Sequence, residues 1–194
     1  MITKLKYGNT NTFLVHGSRG SLLIDTDFAG TLPLFFRELG KNSLKISDIS
    51  YVIATHYHPD HMGLVSELTE LGVKLLLADT QYEYVHFSDE IFGKAKMDYA
   101  PVNESEAVVI SCPESRKFLQ GLGINGEIIS TPSHSGDSIS VILDIGECFV
   151  GDLEPMEFLE AYEENIPLKN DWELIKSYAP KTVYYGHANE KNMR

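Results

Sequence analysis

Strands are the first elements that the pattern of apolar and polar positions predicts. Residues 12–16 and 21–25 are rich in β-branched and aliphatic side chains and flank Gly17, Ser18, Arg19 and Gly20, which reads as an antiparallel hairpin. Thr31 is placed to cap a helix whose apolar positions Leu34, Phe35 and Leu39 recur at helical spacing, with Gly40 as its stop. A strand over 51–54, a helix from His61 to Leu71 and an apolar strand over 73–77 come next. That alternation implies parallel, buried strands.

Thr80 to Phe87 reads as a short helix. Residues 88–104 mix Gly, Lys, Met, Tyr and Pro without a period, which suggests a functional loop or lid hinged at Gly93 and Pro101; Phe92, Met97 and Tyr99 would be core residues if the stretch hides a helix. A strand at 107–111 and a helix at 113–119, with Pro113 in its first turn, lead into the second half. There, strands are predicted at 127–131, 138–144 and 147–151, the last two joined by a turn at Ile145 and Gly146. Helices follow at 154–162, presenting Phe158, Leu159 and Tyr162, and at 171–178, presenting Trp172 and Ile175, before a final strand at 181–185. Two β-rich halves, each carrying helices, suggest a duplicated architecture. No Gly/Ser- or Pro-rich linker separates them, so residues 1–194 are expected to form a single domain.

The chemistry is concentrated where the strand at 51–54 meets the next helix. His56, His58, Asp60 and His61 fall within six positions, and Pro59 stiffens the turn between them. Imidazole and carboxylate donors at that density suit a divalent first-row metal better than a packing role. A histidine-rich surface loop is the plain alternative. Three further candidate ligands, His134, Asp152 and His187, each follow a predicted strand, where a sheet supplies the rigidity a metal site needs.

Thr55-His56-Tyr57-His58-Pro59-Asp60-His61 resembles the His-x-His-x-Asp-His signature of the metallo-β-lactamase-fold hydrolases. Thr131-Pro132-Ser133-His134-Ser135, Gly151-Asp152 and Gly186-His187 follow in the order of that family, and Leu23-Ile24-Asp25-Thr26 fits its early strand. The resemblance runs from about residue 10 to residue 188. It implies an α/β fold, a four-layer αβ/βα sandwich with the site along one edge of two sheets. Carried over position by position, it implies that His56, His58 and His134 hold one metal, that Asp60, His61 and His187 hold a second, and that Asp152 bridges them. The cofactors would be two divalent metal ions, zinc by preference, with iron or manganese as alternatives. Behind the ligands, Asp25, Thr55, Ser133 and Ser135 are candidates to orient the imidazoles, although Asp25 is also an ordinary turn former.

Three neutral imidazoles leave a metal its charge and an open position, which lowers the pKa of a bound water to about 7. The expected reaction is attack of a metal-bridging hydroxide, aimed by Asp60, on a small ester-like substrate: a thioester, a lactone or a phosphoester. The likeness is nearest to small glyoxalase II-like members, but their C-terminal substrate-binding extension has no counterpart after His187, so glutathione specificity does not carry over. A mononuclear iron persulfide dioxygenase, using His56, His134 and Asp152, is the rival enzyme, and a metal-stabilised binding module the non-enzymatic alternative.

Composition narrows the partners. A net charge of −12 argues against nucleic acid, whose phosphates need a basic footprint, and leaves a small molecule as the expected partner. Glu154, Glu157, Glu160, Glu163 and Glu164 add to that acidity as a solvated face. Only Cys112 and Cys148 occur, expected free and buried. The alternating start, Met1 to Lys6, lacks the pattern of a signal peptide, and no run reaches membrane-spanning length, so a cytoplasmic location is expected. Oligomeric state leaves no mark in the sequence. His16 and His86 are expected to be packed or solvated. Tyr82, Tyr84 and Phe87, with Lys94 and Lys96, read as core plus a solvated face or, alternatively, as the wall of a cleft.

Overall fold

The fold, obtained as a computed structural model, is described for residues 1–159 and 164–193. One mixed sheet runs in the order β1 (Ile2–Leu5), β2 (Thr12–His16), β3 (Ser21–Ile24), β4 (Tyr51–Ile53), β5 (Lys74–Ala78) and β6 (Val108–Ile110). The first three strands are antiparallel and β3 to β6 are parallel. The second sheet contains β7 (Gly126–Ser130), β8 (Ile139–Leu143), β9 (Glu147–Phe149), β10 (Thr182–Tyr184) and β11 (Lys191–Asn192) in the order β11-β10-β9-β8-β7, with only β9 and β10 parallel. The helices are α1 (Leu32–Lys41), α2 (Pro59–Met62), α3 (Val65–Glu70), α4 (Asp89–Ala95), α5 (Cys112–Leu122) and α6 (Ile166–Ser177).

Strand periodicity sorts the core into three slabs. Successive strand residues face opposite sides of a sheet. Phe13, Val15, Leu22, Ile24, Ile53 and Leu76 therefore meet Ile128, Val141, Leu143 and Phe149 between the sheets. Leu14, Leu23, Val52, Leu75 and Leu77, one register step away, turn outward against Phe35 and Leu39 of α1, Val65 and Leu68 of α3 and Phe92 of α4. On the far side, Ile129, Ile142, Cys148 and Val183 pack against Leu168, Trp172 and Ile175 of α6. Helices, sheet, sheet, helix: the four-layer αβ/βα arrangement is what the alternation encodes. Helix α5 lies along one edge, where Ser115 Oγ accepts the Ile128 N–H at 2.8 Å.

Several expectations shift. The helix expected over His61–Leu71 is two helices, α2 and α3, because the Leu64 N–H is diverted to Thr26 Oγ1 at 3.2 Å instead of continuing the ladder. Gly63 sits at that break because a side chain there would strike the backbone of Asp27, Phe28 and Ala29. Helix α1 runs through Gly40 to Lys41, and Leu34 faces outward. Of the helix expected at 154–162, the described residues hold a 3₁₀ turn at Met156–Leu159, while Glu160, Tyr162 and Glu163 lie outside the described residues. Cys148 is buried as expected, whereas Cys112 is only partly so; both thiols are free. Among the described residues no helix is long and apolar enough to cross a membrane.

Residues 88–104, which show no period in the sequence, hold helix α4. Phe92 is 1% exposed and stacks on Tyr99 with ring centroids 4.1 Å apart, and the Tyr99 hydroxyl donates to Asp89 Oδ1 at 2.9 Å. Val102 is buried too. His86 ties the segment's ends together, its Nδ1 2.9 Å from Asp89 and its Nε2 3.2 Å from Glu104. Here the core reading describes Phe92 and Tyr99 better than a free cover does, whereas Met97, expected in the core with them, is exposed. Phe92→Ala should lower the unfolding free energy by about 3–5 kcal/mol, the usual cost of emptying a buried aromatic site, as read from urea unfolding. A loss below about 1 kcal/mol would return the segment to the status of a loose lid.

Candidate metal centre

The predicted ligands converge at one edge of the two sheets. His56 and His58 leave the end of β4, while Asp60 and His61 occupy α2 just beyond. His134 follows β7, Asp152 follows β9 and His187 follows β10. Pro59, at the first turn of α2, lacks the N–H that a helix start leaves unpaired, so the turn from strand to helix is pre-set.

Three groups of donor atoms each lie within 4.8 Å of one another: His56, His58 and His134; His56, His61 and Asp152; and Asp60, His61 and His187. The structure thus brings together all seven residues singled out in the sequence. His58 Nδ1 and His134 Nε2 stand 3.2 Å apart, and His61 Nε2 and His187 Nε2 3.3 Å apart. Asp152 lies between the groups, with Oδ1 3.2 Å from His61 Nε2 and 3.4 Å from His187 Nε2, and Oδ2 4.0 Å from His134 Nε2. Asp60 Oδ2 is 3.0 Å from His187 Nε2. Burial grades across the site: His56 and His61 are enclosed, while His134 and His187 are exposed at its mouth.

Behind the donors stands a second layer of hydrogen bonds. Asp25, in left-handed backbone geometry at the end of β3, accepts the Thr55 N–H at 2.6 Å and the Thr55 hydroxyl at 3.0 Å. Its Oδ2 also lies 3.1 Å from His61 Nδ1, so it both anchors the ligand strand and orients a ring. Thr55 Oγ1 is 3.2 Å from His56 Nδ1. Asp25 and Thr55 thus lie within hydrogen-bond distance of His61 and His56. Neither the Ser133 nor the Ser135 hydroxyl bonds to an imidazole: Ser133 Oγ is buried without a partner while its backbone N–H donates to Asp171 Oδ2 at 2.8 Å, and the Ser135 hydroxyl donates to Asp137 Oδ1 at 2.7 Å. Both serve the loop that carries His134.

Other residues complete the frame without a sequence signal strong enough to single them out. Asn11 brackets His187, its side chain donating to the Tyr185 and Ala188 carbonyls at 2.9 and 2.8 Å. Asn9 Nδ2 reaches His187 Nδ1 at 3.5 Å. Gly186 is required because a Cβ there would stand 2.6 Å from both Asp152 Oδ1 and His61 Cε1. Phe87 is exposed and its ring centroid lies 5.6 Å from that of His58, so it lines the approach to the site. His16 stays apart, with Nε2 3.0 Å from Thr3 Oγ1.

Electrostatics favour a cation here. Burial, reinforced by the imidazoles around it, drives the His56 pKa far below its ordinary value, so this ring is neutral and one of its two nitrogens offers a free lone pair. Its Nε2 is buried and has no hydrogen-bond partner, a state that costs about 1–3 kcal/mol unless something else satisfies it. Burial also lowers His134, against the opposing pull of Asp152. His61 goes the other way: burial opposes its charge, but Asp25 and Asp152 outweigh that and raise its pKa to about 10. Asp152 is held below the carboxylate range, its burial offset by His61, His187 and His134. Without a metal, a proton on His61 supplies the positive charge those carboxylates demand.

The match to known proteins extends over nearly the whole chain. The family model of the metallo-β-lactamase superfamily matches residues 5–187. A probable metallo-hydrolase of Methanocaldococcus jannaschii is 33% identical over 152 residues, covering 74% of this chain and 68% of that protein. An atrochrysone carboxyl ACP thioesterase of Claviceps purpurea is 27% identical over 151 residues, covering 77% of this chain but only 41% of the thioesterase. A crystal structure of a protein in a di-iron-bound form superposes with a TM-score of 0.72 at 18% identity, covering 99% of this chain and 94% of that one.

One consequence can be measured on metal-free protein. Because the folded pKa of His61 lies near 10 and the unfolded one near 6.5, its charge stabilises the fold fully below about 6.5, and that contribution is lost as pH rises through 10. Denaturant unfolding of the chelator-treated protein should show stability falling from about pH 7 to pH 10, with a shallower slope in His61→Gln. Equal slopes would mean that His61 is not charged in the metal-free fold.

Proposed function

The chain belongs to the metallo-β-lactamase superfamily, and on that premise we propose that it is a dinuclear metal-dependent hydrolase of small ester-like substrates, thioesters foremost. The observation that carries the reading is the buried, unpartnered Nε2 of His56, a residue shared by two of the three donor groups. A neutral imidazole nitrogen with no hydrogen-bond partner, facing carboxylates that draw in positive charge, fits a metal ion and little else. His56, His58 and His134 would hold one ion, Asp60, His61 and His187 the second, and Asp152 would join both. Bound there, divalent ions supply Lewis acidity and acidify a water into a nucleophile near neutral pH.

The chain's own residues do the rest. Asp60 is the catalytic carboxylate in this reading: it faces the mouth beside His187 and would accept the proton of the attacking water and fix its orientation. Asp25 holds the His61 ring and the Thr55 backbone at once, so the donor geometry is set before substrate arrives. Exposed His134 and His187 leave the substrate side open, and Phe87 offers an apolar surface next to His58. The thioesterase among the relatives supports a thioester; the net charge of −12 supports a small substrate rather than a nucleic acid. Zinc is the metal proposed, with iron or manganese as alternatives, and the di-iron-bound neighbour keeps iron in view. Two unpaired cysteines fit a reducing, cytoplasmic setting.

Metal analysis and a substrate panel test the proposal together. Loaded protein should contain two ions per chain, and His56→Ala and His187→Ala should each lose one. It should cleave thioesters in preference to lactones, β-lactams or phosphodiesters. Asp152→Asn should reduce turnover by roughly 10²-fold or more, as expected when preorganised charge is removed. One iron per chain together with oxygen uptake on persulfides would replace this reading with the dioxygenase.

A further inference from the structure

The loop between β7 and β8 contains a buried carboxylate with no place among the donors. Asp137 is 2% exposed, and both its oxygens are engaged. Oδ2 accepts the Tyr57 N–H at 2.6 Å, and Oδ1 accepts the Ser135 hydroxyl at 2.7 Å. Tyr57 lies between His56 and His58 in the chain, and Ser135 follows His134. The two bonds of one carboxylate thus end beside all three imidazoles of the first donor group.

Those imidazoles come from different sheets, so nothing in the local chain fixes the gap between them. Among the described residues one backbone bond ties the two segments, from the N–H of Ile139, at the start of β8, to the Thr55 carbonyl at 2.9 Å. A single rung allows the loops to swing about it. A second point of attachment, at Asp137, removes that freedom and sets the 3.2 Å separation of His58 Nδ1 and His134 Nε2. The Tyr57 end is itself immobilised, with its ring 1% exposed in the outer core and its carbonyl accepting the Ser88 hydroxyl at 2.6 Å. A carboxylate suits the task because both partners are donors, and an ionised acceptor makes shorter, stronger bonds than a neutral one.

The geometry points to Asp137 as a positioning residue that braces the His56–His58 arm against His134 and thereby tunes the first metal position, selectively over the second. This inference rests on the metal-site reading above. The probe is cobalt(II), titrated into metal-free full-length protein and followed by visible absorption with a competing chelator. His187→Ala, run alongside, marks which binding step belongs to the second position.

Asp137→Ala should weaken the first step by roughly 10- to 100-fold, the range seen when a partner behind a ligand is lost, and leave the second within about threefold. Asp137→Asn should restore the first step, because its amide oxygen can accept from Tyr57 N–H while its NH₂ donates to Ser135 Oγ. Should Asp137→Ala fail to fold, Ser135→Ala removes one of the two bonds and should weaken the first step alone. Wild-type affinity at both steps in Asp137→Ala and Ser135→Ala, or equal weakening of both steps, would overturn the brace. A wild-type protein that takes up no cobalt would instead overturn the metal reading itself.

Discussion

Five imidazoles and three carboxylates crowd one sheet edge here, and the arrangement is tolerable only with positive charge among them. Burial strips most of the water from His56, His61 and Asp25. The carboxylates Asp25 and Asp152 grip His61 from opposite ring nitrogens. This local demand for a cation organises the rest: strands end where their donors are needed, and the loops beyond them are tied by hydrogen bonds rather than left to solvent. Asp25 shows the economy of the arrangement, since a single side chain anchors the β4 strand end and orients a ring.

The two sheets are coupled at this edge by more than apolar contact. Ile139 bonds to Thr55 across the sheets, and Asn11 N–H reaches the Gly186 carbonyl at 2.7 Å. Gly151, in left-handed conformation, lies where a side chain would run into Thr55 Oγ1. The inter-sheet core of Ile24, Ile53, Val141 and Phe149 sets the spacing, and the polar rungs set the register of the donors within it. Apolar packing is indifferent to small slides; hydrogen bonds with fixed lengths are not.

How much of this was legible beforehand depended on whether the signal was local. Strands β2 to β10 announce themselves because alternation and β-branched residues sit within a few positions. The seven donors were readable because four fall within six positions and the others follow strands. Strand β11, two residues long, carries no pattern, and α4 is too short for its period to stand out from the mixed residues around it. The break between α2 and α3 was hidden because its cause, the Thr26 hydroxyl, lies far back in the chain. Asp137 was missed for the same reason: its meaning is the Tyr57 N–H, remote in sequence. Ser133 and Ser135 mark the opposite failure, since residue type suggested partners for the rings but said nothing of direction.

The distribution of donors has a consequence for how a metal would come to be held. His56 and His187 are separated by most of the chain, and His134 and His187 must arrive from the second sheet before either triad can be completed. A nascent chain with only the first sheet formed presents His56, His58, Asp60 and His61 but neither complete triad. Capture of metal by such a partial set would be weak and labile, because open, mobile ligands pay their ordering entropy at binding. Tight uptake therefore reports that both sheets have docked. An ion held there would thus be a check on finished folding as well as the reagent of the proposed chemistry.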